Sequence, residues 1–80
     1  MKSLNAQKPR HVKESDLYAL DIEMKIKGRR ALYVVVDTTN APNPCPIIKF
    51  SWHITDIMLF VDRLKCPYTI FAKDFPEARK

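Results

Sequence analysis

Eighty residues with 46% hydrophobic and 29% charged content make one small domain. Lys and Arg number 14 against 9 Asp and Glu, a net charge of +5, and the chain has a single Gly and two Cys. Without a run of about 18 apolar residues, a dense cysteine framework or a glycine-rich loop, the sequence excludes a membrane span, a disulfide scaffold and a Gly-loop nucleotide enzyme.

The charge is unevenly placed. Lys2, Lys8, Arg10 and Lys13 put +4 into the first thirteen residues, and the remaining residues carry ten bases and nine acids. No apolar stretch follows Lys2, so no secretory signal is expected. With two cysteines, the expected setting is a reducing, cytoplasmic one.

Residues 1–16 show no sustained period of 2 or 3.6, and Pro9 interrupts them, so they read as a flexible basic arm. From Tyr18 to Lys27 apolar and polar residues alternate: Tyr18, Leu20, Ile22, Met24 and Ile26 against Ala19, Asp21, Glu23, Lys25 and Lys27. That period predicts a strand. Gly28 then supplies a tight turn, and Arg30 to Asp37, rich in β-branched and aromatic residues, predicts the return strand of a hairpin. Residues 38–46, TTNAPNPCP, hold three prolines and read as a stiff loop. Residues 47–54 alternate again, which predicts a third strand.

Thr55 fits a helix N-cap and Asp56 fits the first turn. Ile57, Phe60, Val61 and Leu64 then fall on one helical stripe, Lys65 closes the last turn, and Pro67 stops the helix. Tyr68 to Ala72 predicts a short fourth strand, and residues 73–80 a polar tail. The expected fold is α+β, in β-β-β-α-β order. One helix covers one face of a two-layer, mostly antiparallel sheet formed by residues 17–72.

On that arrangement the open sheet face carries Lys25, Tyr33, Val35, Lys49, Ser51 and His53, with Asp21, Glu23 and Lys27. Tyr33 and Val35 would form the apolar centre of a protein-binding surface, and the charges its rim. With Ile47 they also suit a homodimer. The arm residues Lys2, Lys8, Arg10 and Lys13, and the hairpin tip Lys27, Arg29 and Arg30, offer a second mode, the binding of nucleic-acid phosphates. No aromatic residue interleaves with the arm's bases, so no stacking platform is expected there.

Cys45-Pro46 and Cys66-Pro67 do not follow a zinc-finger spacing with His11 or His53, and two such dipeptides are too little to specify haem. A disulfide between them would add about 3 kcal/mol, but free thiols are the expectation. No catalytic motif is present, and so small a core leaves little room for a substrate. The protein is therefore expected not to be an enzyme and to carry no cofactor and no metal.

The hairpin around Lys27-Gly28-Arg29, the strand Ile48-Lys49-Phe50-Ser51-Trp52 and the helix from Thr55 to Val61 give an architecture that resembles small phage-encoded host-takeover proteins. Anti-CRISPR proteins and other inhibitors of host enzymes are among these. The resemblance covers about residues 18–72 and carries no family residues over. It implies a non-catalytic module that occludes the surface of a larger host enzyme or defence complex in the host cytoplasm. The basic balance argues against mimicry of DNA.

Overall fold

In the computed structural model, which describes residues 9–77, four antiparallel strands form one sheet with two helices on one face. The elements in chain order are β1 (Arg10–Val12), a 3-10 turn (Glu14–Asp16), α1 (Leu17–Ile26), β2 (Arg29–Asp37), β3 (Ile47–Ser51), α2 (Ile54–Asp62) and β4 (Tyr68–Pro76). The α+β class and the two-layer build are as expected. The order is β-α-β-β-α-β rather than β-β-β-α-β.

The difference lies at residues 17–26, where the alternating segment is a helix. Its sequence LYALDIEMKI is dominated by helix formers, and only Ile22 and Ile26 are β-branched. Leu17, Leu20 and Met24, at i, i+3 and i+7, are buried against the sheet. Two i,i+4 ion pairs, Asp21 with Lys25 at 3.0 Å and Glu23 with Lys27 at 2.8 Å, line the outside. Gly28 is therefore not a hairpin tip. It follows the C-cap Lys27 at φ +70°, the left-handed position in which a helix commonly ends, and its N–H bonds the Lys25 carbonyl at 3.2 Å.

The sheet order is β1-β4-β2-β3. β2 and β4 pair along their full nine residues, from Arg29 opposite Pro76 to Asp37 opposite Tyr68. Because β1 is antiparallel to β4 and β4 to β2, β1 and β2 run the same way with β4 between them. By the same reasoning β3 and β4 run the same way with β2 between them. Each helix is the crossover of one such split pair.

Three strand boundaries differ from expectation. Part of the predicted arm is structured: Arg10–Val12 forms the edge strand β1, while Lys2 and Lys8 lie outside the described residues. β3 stops at Ser51, three residues short of Ile54. β4 runs to Pro76, through half of the predicted tail, because Lys73 to Pro76 complete the ladder with Arg29 to Leu32.

α2 starts at Ile54, one residue before the predicted cap, and ends at Asp62, so Lys65 does not close its last turn; His53 occupies the N-cap without a side-chain bond. Ser51 does the joining instead. Its Oγ accepts the His53 N–H at 3.0 Å and its hydroxyl donates to Asp56 at 2.9 Å. Ile54, Ile57 and Val61 of α2 are buried, and Phe60 and Leu64 pack against the same core.

The core lies between the helices and the inward side of the sheet. That side is Val12, Ala31, Tyr33, Val35, Ile70 and Ala72. Tyr33 pairs with the small Ala72, and Val35 pairs with Ile70.

Candidate functional site

The register fixes what each side of the sheet presents, because alternate residues point to opposite faces. Tyr33 and Val35, expected at the centre of the open face, are 1% and 0% exposed and lie beneath the helices. Their β3 partners Ser51 and Lys49 share that side. Lys49 turns its ammonium toward the Phe60 ring of α2, 5.9 Å from its centroid. Lys25 lies on α1 and His53 at the start of α2. The predicted binding face is thus not a single surface, and its apolar centre is core.

The helix-free face is the other one. β2 contributes Leu32, Val34 and Val36, β3 contributes Ile47 and Phe50, and β4 contributes Thr69, Phe71 and Lys73. Ile47 is 61% and Phe50 66% exposed. Leu32, Val34, Val36, Ile47 and Phe71, with Pro9 and Lys73, line an apolar groove of about 440 Å³ whose walls present almost no polar atoms. It contains neither cysteine and not His53.

Aromatic and cationic side chains border this field. The Arg30 guanidinium lies 4.3 Å from the centroid of Trp52, whose ring meets Phe75 edge-on at 5.3 Å. The Lys73 ammonium sits 5.5 Å from Phe75. At the β1 end His11 packs edge-on to Phe71 at 6.1 Å. The strand positions that point to this side hold no acidic residue: Asp37 and Asp74 alternate onto the helix side.

Of the basic residues expected to meet phosphate, Arg10, Lys27, Arg29 and Arg30 are engaged within the fold. Arg10 pairs with Glu23 at 3.6 Å, Lys27 with the same carboxylate, and Arg29 with Asp74 at 3.2 Å. The Lys27 ammonium, first by its hydrogen bond and then by its charge, holds the Glu23 carboxyl below its usual range. Lys13 is exposed just ahead of the 3-10 turn.

The two Cys-Pro segments come to the same end of the sheet. Pro46 accepts the Asp37 N–H and Pro67 accepts the Thr38 N–H, each at 3.0 Å, so they flank the end of β2. Two strand spacings are roughly 9.5 Å, beyond the roughly 7 Å Cα separation a disulfide tolerates. Both thiols are free. Partial burial, and then the nearby Asp37 carboxylate, push the Cys66 thiol up. No group of three His, Cys, Asp or Glu among the described residues is placed to hold a metal ion.

Comparison with protein-family models, with curated proteins and with solved structures returned no match. No helix among the described residues is long and apolar enough to cross a membrane.

Sequence reasoning missed Leu32, Val34, Val36, Phe50, Trp52, Phe71 and Lys73 as surface residues. One signal for them was present. Ala31 to Val36 is six apolar residues without a polar break, the pattern of a strand covered on both faces.

Proposed function

We propose that this protein is a non-catalytic binding module whose helix-free sheet face docks a larger protein and blocks the surface it covers. The observation that carries the reading is β2 itself. Its two faces are both apolar, yet among the described residues only Ala31, Tyr33 and Val35 lie beneath the helices. The half-buried Leu32, Val34, Val36 and Phe71, extended by the exposed Phe50 and Ile47, form the kind of contiguous apolar patch that marks an interaction surface.

Charge selects the partner. The only ionised side chains at the strand positions of this face are Arg30 and Lys73, so the complementary surface is apolar at its centre with carboxylates around it. A second copy would set cation against cation. The aromatic pair Trp52–Phe75 with Arg30 has the ingredients of a single-strand nucleic-acid platform. The β2 row of the field, Leu32, Val34 and Val36, is aliphatic, however, and the Trp52 ring already carries Arg30, so a protein is favoured. An inhibitor of an enzyme or defence complex is the concrete form of such an occluding module.

The test is quantitative affinity enrichment from source cells, with cross-linking mass spectrometry of what is retained. A protein captured by the parent, lost with Phe50→Asp and cross-linked through an acidic surface supports the reading. Retention undiminished in Phe50→Asp overturns it. So does binding of a labelled oligonucleotide that weakens steeply with salt and depends on Trp52.

A further inference from the structure

α1 carries two apolar stripes. Leu17, Leu20 and Met24 are buried beneath it, while Tyr18, Ile22 and Ile26 lie one turn apart on another side and are exposed. Ile22 is 58% and Ile26 80% exposed. Residues at i, i+4 and i+8 form a continuous ridge. Asp21 and Lys25 run along one flank of it, bridged at 3.0 Å.

We propose that this ridge is the contact between two copies of the chain, with the α1 helices packed antiparallel about a two-fold axis at Ile22. An interface of that symmetry must be self-complementary, residue i meeting j and j meeting i, and this ridge satisfies the condition. With Ile22 against its own symmetry mate, Tyr18 of each copy faces Ile26 of the other. Lys25 stands three residues from the axis and Asp21 one residue on the opposite side. At 1.5 Å per residue these are heights of about 4.5 and 1.5 Å. Antiparallel packing carries Asp21 of the second copy to the Lys25 side of the axis, about 3 Å from it in height and on the same flank. Each Lys25 therefore reaches a second carboxylate while keeping its own.

The helix is also electrically neutral, Asp21 and Glu23 balancing Lys25 and Lys27. Nothing in its charge opposes a second copy, and the antiparallel helix dipoles attract. The acid-free sheet face has the opposite character and stays free for a foreign partner. The inference is independent of what docks there.

The contact is one ten-residue helix, below the roughly 800 Å² per partner of stable complexes. A weak, transient association is expected for a surface of that size. Sedimentation equilibrium from 20 µM to 1 mM should show the mass rising from 9.3 kDa toward twice that value. Ile22→Glu should weaken the association at least tenfold, and Lys25→Glu should weaken it as well. Ile22→Cys in a Cys45→Ser/Cys66→Ser background should form a disulfide-linked dimer under mild oxidation, because a residue on a two-fold axis meets itself. Leu59→Cys, exposed on α2, should not. The conservative cysteine variant decides the matter if the glutamate variant does not fold. A constant 9.3 kDa across the range, no preference of Ile22→Cys over Leu59→Cys, or a dimer lost with Phe50→Lys but kept in Ile22→Glu overturns the proposal.

Discussion

Tyr33 shows how one side chain reports which side of the sheet is inside. Its ring is buried under the helices and its hydroxyl donates to Asp21 at 3.5 Å. Burial first, and then the Asp21 carboxylate, push the phenol up to about 12. Tyr68 is also pushed up to about 12, mainly by its 2.6 Å bond to Glu14. Folding favours the protonated form of both phenols, so their contribution is intact below pH 10, the unfolded value, and is lost as the pH climbs toward 12. Urea midpoints should therefore agree at pH 8 and 9 and drop by pH 11.5. Tyr33→Phe should stay within about 1 kcal/mol of the parent at pH 8 and show a smaller alkaline drop; an unchanged drop would place the ring outside the core. Alternation in β2 could not reveal this, because Ala31, Tyr33, Val35 and Leu32, Val34, Val36 are both apolar sets. The first set is the one beneath the helices, where the small Ala72 of β4 stands opposite Tyr33 and leaves room for its ring. That choice depends on β4, forty residues away, and no local pattern contains it.

Among the elements, β2, β3, α2 and β4 were legible because their periodicity and their propensities agree. Val, Ile, Phe and Tyr fill the strands, and Ile57, Phe60, Val61 and Leu64 mark one helical stripe. In α1 the two signals conflict. Residues 18–27 alternate as a strand does, but they are also Ala, Leu, Glu, Met and Lys in helical company, with two i,i+4 ion pairs that only a helix can make. Tertiary packing resolved the conflict, since Leu17 and Leu20 need the same side and a strand would part them. The binding face of the sequence reading failed with it. Lys25 left the sheet, and the surface once assigned to Tyr33 and Val35 passed to their neighbours. A pair of substitutions separates the two periods. A strand with that alternation buries Leu20 and Ile22 alike, whereas the helix buries Leu20 alone. In dilute solution Leu20→Ala should cost about 2–4 kcal/mol and Ile22→Ala less than about 1 kcal/mol, measured by urea denaturation. Equal costs would contradict the helix.

At the scale of the whole molecule the dimensions are 39 × 29 × 19 Å. The smallest is what one sheet and one layer of helices, each about 10 Å across with side chains, require together, so the described residues form no second layer over Leu32, Val34 and Val36. For a chain of eighty residues this is a costly distribution of apolar surface, since a small domain buries a smaller share of what it has than a large one. The proposed docking role accounts for this apolar field on the helix-free side. Phe50 separates that role from folding. It is two-thirds exposed, stands opposite Val34 in the ladder, and points away from the side under the helices. Phe50→Lys should change folding free energy by less than about 1 kcal/mol while reducing the binding of an apolar dye such as ANS and raising solubility. The same variant should release a docked partner mainly by faster dissociation. Loss of the rim charge in Lys73→Gln should instead slow association and flatten its dependence on ionic strength. Surface plasmon resonance at two salt concentrations distinguishes these effects. If Phe50→Lys unfolds the domain, the residue belongs to the core and the open face loses its centre. If both variants bind as the parent does, the partner docks elsewhere and the exposed field has no part in recognition.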